Sequence, residues 1–259
     1  MAQEQPSVAS ACGGDVIARG VAKRVIDGRT FVLDDGREVR LAAIEVPPLE
    51  SGAAPGAAAK AALDALVGGD EVVLRRADAA AAAAAATDRY GRLVAYAYAV
   101  RDGDELFAQG ELIASGFARV GDHAGGRSCA LELHQSENAA RAAKLGLWAD
   151  SYYEVLNAET AADVLARRGR FALVEGRVVS VRESGATIYV NFGRRWSEDF
   201  TVTVLKRNER NFTAAGLDLK GLAGRRIRVR GFVEARGGTG RSPWIAAEYP
   251  EQIETADLR

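Results

Sequence analysis

Short runs rich in β-branched residues, each ended by a turn signal, constrain this chain more than any other feature. Val16–Val25 is one such run, and Asp27-Gly28 turns it. Thr30–Leu33 then alternates, Asp34-Asp35-Gly36 reads as a tight hairpin turn, and Glu38–Ile44 returns until Pro47-Pro48 ends it. Glu71–Arg75 and Leu93–Val100 read as two more strands. A second series begins near residue 169: Phe171–Val181, Thr187–Phe192 and Asp199–Leu205, a short helical segment near Asn208–Ala215, then Arg225–Val233 and Trp244–Glu248 around the turn Gly237-Gly238-Thr239-Gly240. Three strands, a helix and two strands is the order of a five-stranded OB-type barrel.

Helical periodicity fills the intervals. Residues 57–67 place Leu63, Leu66 and Val67 on one stripe before Gly68-Gly69 stops the helix. Glu105–Ser115 reads as a second amphipathic helix, and Ala130–Lys144 as a third, closed by Gly146 and anchored by Trp148. Ala79–Ala86 is a run of eight alanines, too short to be a stable helix alone and read as an excursion between strands. The expected organisation is a tail (1–16), a first domain (17–149), a helical linker (150–168) and an OB-like domain (169–259). The 259 residues are enough for two modest domains. No stretch of about 20 apolar residues is present, so no membrane-spanning helix is expected.

A formal net charge of -1 argues against binding nucleic acid by global charge, but the charge is unevenly spread. From residue 151 onward there are 18 Lys and Arg against 14 Asp and Glu, a net of +4, and the part before it carries -5. The second part therefore offers polyanions the more attractive surface. Two cysteines, Cys12 and Cys129, lack the spacing of a zinc site. They can be unrelated thiols or one disulfide, and the disulfide is the favoured reading, implying an oxidising compartment. Residues 1–10 show no signal peptide and resemble a processed start; an exported location, periplasmic or secreted, is favoured over the cytoplasm.

Four segments carry a resemblance. They are Val25-Ile26-Asp27-Gly28-Arg29-Thr30, Arg40-Leu41-Ala42-Ala43-Ile44-Glu45-Val46-Pro47, Thr87-Asp88-Arg89-Tyr90-Gly91-Arg92, and Glu137 to Trp148 ending Gly146-Leu147-Trp148. In this order and spacing they resemble the V-x-D-G-D-T, R-L-x-x-I-D-x-P-E, D-x-Y-G-R and E-x-x-A-[RK]-x-x-x-x-G-[LI]-W segments of the thermonuclease (staphylococcal-nuclease-like) domain family. The resemblance covers about half the chain. It implies a mainly β fold with some α structure: an OB-type five-stranded barrel with three helices, followed here by the second OB-like barrel.

The resemblance also implies a chemistry, calcium-dependent hydrolysis of DNA and RNA phosphodiesters. Two arginines meet the phosphoryl oxygens, two aspartates hold Ca²⁺, and a glutamate serves the attacking water. Carried over position by position, Arg40 and Arg92 fall on the phosphate-binding arginines, and Tyr90 keeps its place. Arg29 stands where the first metal aspartate belongs, Glu45 replaces the second, and Pro48 replaces the glutamate. Glu50 lies two residues on. Gly121-Asp122-His123 lacks the family's nucleotide-stacking tyrosine. A cation at position 29 repels a divalent metal and can pair with Glu45, leaving Arg29, Arg40, Arg92 and Tyr90 as an anion site, with no metal ligand beyond a residual Glu45. Structural pairing of these arginines with Glu45, Asp27 or Asp88 is the plainer alternative.

Elsewhere, His123 and His134 have no partners at metal spacing and read as surface or helix-cap residues. Trp196, Phe192 and Tyr189, with Arg182, Arg194, Arg195 and Lys206, outline a face for single-stranded nucleic acid. Phe192 and Tyr189 are an odd number of residues apart, so at least one belongs to the core. The favoured reading is a protein that binds nucleic acid or another polyanion without efficient hydrolysis and without a cofactor. An active metal-dependent phosphodiesterase, with calcium, and a protein-interaction scaffold are the alternatives.

Overall fold

The computed structural model describes residues 12–49, 54–77, 87–123, 125–195, 197–236 and 242–255. The alanine run, Glu50, Trp196 and the Gly237–Gly240 turn lie outside the described residues. The chain divides into two units: one takes the described residues through Val120 and from 125 to Ala143, the other takes Gly121–His123 and Lys144 onward.

In the first unit, β1 (Val16–Asp27) is long enough to serve two neighbours. Val16–Val21 pairs antiparallel with β5 (Glu71–Arg76), and Ala22–Asp27 pairs with β2 (Thr30–Leu33). β2 pairs with β3 (Glu38–Leu41), and β5 pairs with β6 (Leu93–Arg101). A parallel pairing of β3 with β6 then closes the ring of five strands. The short β4 (Ile44–Glu45) pairs separately with β8 (Arg119–Val120). Alternation sends Phe31, Leu33, Val39, Leu41, Val72 and Leu74 into the core.

Three helices pack on this barrel. α1 (Ala54–Val67) buries Gly56, Ala59, Leu63 and Val67, a spacing that keeps one face inward. α2 (Ala108–Ala114) is shorter than the helix expected over Glu105–Ser115. Asp102 and Gly103 both take positive φ (52° and 91°), so they form the tight turn that leads into β7 (Asp104–Phe107), paired with β6. α3 (Arg127–Ala142) buries Glu137, whose carboxylate accepts the Val120 amide at 2.7 Å and so holds β8 on the helix.

The second unit repeats this path. β9 (Leu156–Asn157) and α4 (Ala161–Leu165) precede β10 (Phe171–Arg177) and β11 (Ser180–Ser184). The single strand expected over Phe171–Val181 is therefore interrupted: Val178 bonds towards Gly224 and Arg225, and Val179 towards Asn191. β11 pairs with β12 (Thr187–Asn191), and β12 with β13 (Thr201–Leu205). After α5 (Glu209–Ala214) come β14 (Arg226–Arg236), β15 (Ser242–Ala246) and β16 (Ile253–Thr255). β13 and β15 are parallel, β15 pairs with β14, and β14 returns to β10. That is the OB order, around Val174, Ile188, Val190, Phe200, Val202 and Phe212. Residues 150–168, expected as a helical linker, are built into this unit instead: β9 adds in parallel to β10, and α4 buries Val164. Among the described residues, no helix is long and apolar enough to cross a membrane.

Cys12 and Cys129 form a disulfide across 117 residues of sequence, with both cysteines buried. It ties the start of the first unit to α3. A cross-link over so long a loop restricts the unfolded chain and contributes about 4–5 kcal/mol in the chain-entropy model. Replacing both cysteines with serine should lower the thermal midpoint by about 10 °C or more, read by circular dichroism. Reductant should lower the wild-type midpoint in the same direction and leave the variant unchanged.

Candidate functional site

The arginine cluster is assembled by strand ends. Asp27 accepts the Arg29 amide on its carboxylate at 2.9 Å, which sets the turn between β1 and β2. Gly28 lets that turn approach α1, since a Cβ there would lie 2.7 Å from the Ala59 methyl. Arg40, on β3, is the cross-strand partner of Thr30 on one side and Val94 on the other. Arg92 immediately precedes β6, whose first residue Leu93 pairs with Val39. Glu45, on β4, faces Arg119 across the β4–β8 pair.

The arginines differ in their partners. Arg29 donates through Nη1 to Glu45 Oε2, and both side chains are mostly buried. Arg92 grips Asp88 through Nε at 2.8 Å and Nη2 at 2.7 Å, while Asp88 also accepts the backbone amides of Tyr90 and Arg92. Arg40 is half-buried, and among the described residues its guanidinium has no hydrogen bond or ion pair. Tyr90 is 68 % exposed, with the guanidinium of Arg89 4.9 Å and that of Arg92 5.1 Å from its ring centre.

The protonation equilibria record the crowding. Burial, then repulsion from Arg29 and Arg92, holds Arg40 below the usual arginine value, with Glu45 and Asp88 opposing. Burial pushes the Glu45 carboxyl above the usual carboxylate range against the pull of Arg29, Arg119 and Arg40. At Asp88 desolvation acts upward, but the donors of Arg92 and Tyr90 outweigh it and hold the carboxyl low.

A divalent cation does not fit these residues as they stand. Calcium requires several anionic or carbonyl oxygens, whereas Glu45 is already bonded to Arg29 and Pro48 supplies no carboxylate. A full positive charge about 4 Å away disfavours a monovalent cation by about 4 kcal/mol near a protein surface, and a divalent ion by more. The Pro47-Pro48 segment is also hemmed in, since a Cβ on Gly56 would run into the Pro48 carbonyl. The structure thus brings Arg29, Arg92, Glu45 and Asp88 within electrostatic range of Arg40, with Tyr90 beside Arg92.

Arg119 is the member that sequence reasoning missed. A lone cation between the apolar residues Ala118 and Val120 was the available signal, but only the two-residue β4–β8 pairing sets it opposite Glu45. His123 differs from its expected surface or capping role. Its ring stacks on Tyr249 at 3.9 Å between centres, and Nδ1 lies 3.1 Å from the Glu251 carboxylate. Phe192 belongs to the second core, and Arg195 and Lys206 are paired with Glu198 and Glu183.

Because its folded-state pKa is lowered, Asp88 stabilises the fold above the ordinary aspartate pKa, and that stability is lost as pH falls through the lowered value. Asp88→Asn should therefore lower the melting temperature at pH 7 by a few degrees. The gap to wild type should narrow as the pH is taken below the ordinary aspartate range, followed by thermal melts across a pH series.

Residues 38–150 match the family described as staphylococcal nuclease homologue, a span running from β3 past α3 to the turn that buries Leu147 and Trp148. A search of the curated proteins finds no significant match to the chain. The matched span contains Arg40, Glu45, Tyr90 and Arg92, and the closed barrel around it has the strand order that the resemblance implied. Residues 38–150 therefore form a staphylococcal-nuclease-like domain.

Proposed function

We propose that the first unit binds nucleic acid, or another polyanion, through Arg29, Arg40, Arg92 and Tyr90 without efficient hydrolysis. The observation that carries this reading is Arg40, a half-buried guanidinium repelled by Arg29 and Arg92 and, among the described residues, without an ion pair of its own. A phosphate oxygen placed among the three relieves their repulsion and gains charge-assisted hydrogen bonds. Tyr90 offers an exposed ring next to the backbone-binding cations, the combination used for single strands. The Arg29–Glu45 ion pair supports the absence of hydrolysis, because it takes the place where a catalytic metal would have to bind. In this reading no cofactor is required, and the domain is a pseudoenzyme of its family. The buried disulfide supports an exported, oxidising location.

The test uses labelled single-stranded DNA and RNA with Ca²⁺, Mg²⁺, Mn²⁺ or EDTA, and compares wild type with Arg40→Ala/Arg92→Ala. We expect no cleavage in any metal and a binding constant at least ten-fold weaker in the double variant. Metal-dependent cleavage that the double variant loses would make the protein an active phosphodiesterase with a rebuilt site. Neither binding nor cleavage would leave the scaffold reading.

A single change probes the electrostatic argument. Arg29→Asp replaces the cation with a second carboxylate beside Glu45, so millimolar calcium should raise the melting temperature of the variant by about 2–4 °C, or roughly 1 kcal/mol of binding, and that of the wild type not at all.

A further inference from the structure

The second unit carries a groove of about 880 Å³ that the arginine cluster of the first unit does not account for. Its floor is the outward face of the β11–β12 pair. Ile188 and Val190 point into the core, so Tyr189 and Asn191 project the other way, with Arg182 and Ser180 directly across on β11. The floor is a connected polar surface: the Asn191 amide donates to the Ser180 hydroxyl at 3.3 Å, and its carbonyl accepts from Thr201 at 3.3 Å. Arg194 stands at the rim, on a loop shaped by Asp199, whose carboxylate accepts the Arg195 amide at 2.7 Å and packs where a Cβ on Gly193 would be.

The charge in this groove is largely uncompensated. Arg182 and Arg194 both line it, and neither makes an ion pair among the described residues. The lining carboxylate, Glu183, is taken by Lys206 at 2.7 Å and Lys220 at 2.8 Å. Those lysines push its pKa down to about 2, so it stays ionised and paired. Glu183 is thus occupied by two lysines, and Glu209 lies 3.9 Å from Lys220. A small inorganic anion would leave most of the groove empty, since its volume is that of a site for a sizeable ligand. Two guanidiniums that flank hydroxyl and amide groups and a tyrosine ring suit a ligand that alternates phosphate, sugar and planar base.

We propose that this groove is a second nucleic-acid site, taking a few nucleotides of a single strand, with Arg182 and Arg194 on its phosphates. It does not depend on the reading of the first unit. The experiment is fluorescence anisotropy of a labelled oligothymidylate of about ten nucleotides against the full chain, titrated at several salt concentrations. Four proteins are compared: wild type, Arg182→Ala/Arg194→Ala, Arg40→Ala/Arg92→Ala, and the four-fold variant. Arg182 and Arg194 are exposed, so circular dichroism should show these variants folded.

Arg182→Ala/Arg194→Ala should weaken binding at least ten-fold and reduce the slope of log K against log salt by about 1.4, or about 0.7 for each lost phosphate contact. The four-fold variant should be weaker than either double variant. Wild-type affinity and slope in Arg182→Ala/Arg194→Ala would overturn the proposal, whatever Arg40→Ala/Arg92→Ala does. Loss in Arg182→Ala/Arg194→Ala with none in Arg40→Ala/Arg92→Ala would uphold it and count against the first site instead. Equal displacement of the oligonucleotide by unlabelled oligonucleotide and by a sulfated polysaccharide at matched charge would also overturn it, since the groove would then recognise charge alone.

Discussion

The parallel pairing of β3 with β6 is the constraint on which the first unit depends. It joins residues 39–41 to residues 93–95, more than 50 positions apart in the chain, and turns an open sheet into a closed ring. Closure removes the exposed edges that each strand would otherwise present. It also sets Arg40 beside the strand that Arg92 leads, so the same hydrogen bonds that complete the barrel bring two guanidiniums together. Like charges do not gather for their own benefit. The barrel's backbone and core supply the free energy that holds them there.

Arg29 changes the meaning of the site. In a constellation with two acidic residues a metal would balance the arginines, whereas here Glu45 is balanced by Arg29 and Asp88 by Arg92. That leaves Arg40, among the described residues, as the member of the trio without an ion pair of its own. Burial alone would leave Glu45 an unfavourable anion, which its raised pKa records, and the cations Arg29, Arg119 and Arg40 offset part of that cost. Internal ion pairing is therefore what makes this barrel end electrostatically tolerable.

The second unit reaches the same strand order with unrelated residues, including the parallel pair β13–β15 that corresponds to β3–β6. It places its charges elsewhere. Glu175 on β10 pairs with Arg226 and Arg228 on β14, while among the described residues Arg182 and Arg194, beside β11 and β12, make no ion pair. One topology thus carries two arrangements of arginine because the fold constrains the inward face of each strand and leaves the outward face open.

Much of this was readable in the chain. Turn signals and alternation located most strands within a residue or two, and Asp27, Arg29, Arg40, Glu45, Tyr90 and Arg92 were identifiable from their segments. The reading failed where a local pattern had two solutions. Residues 105–107 look helical until the positive φ of Asp102 makes a hairpin, and residues 150–168 look like a linker until β9 finds β10. Local chemistry determined which residues are available: three arginines, two carboxylates, two cysteines and an exposed tyrosine. Only the tertiary structure decided that Cys12 meets Cys129, that Arg119 faces Glu45 and that Arg40, among the described residues, has no ion pair. Those outcomes depend on long-range pairings, and the energy of a charge depends on what the fold places within a few ångströms of it.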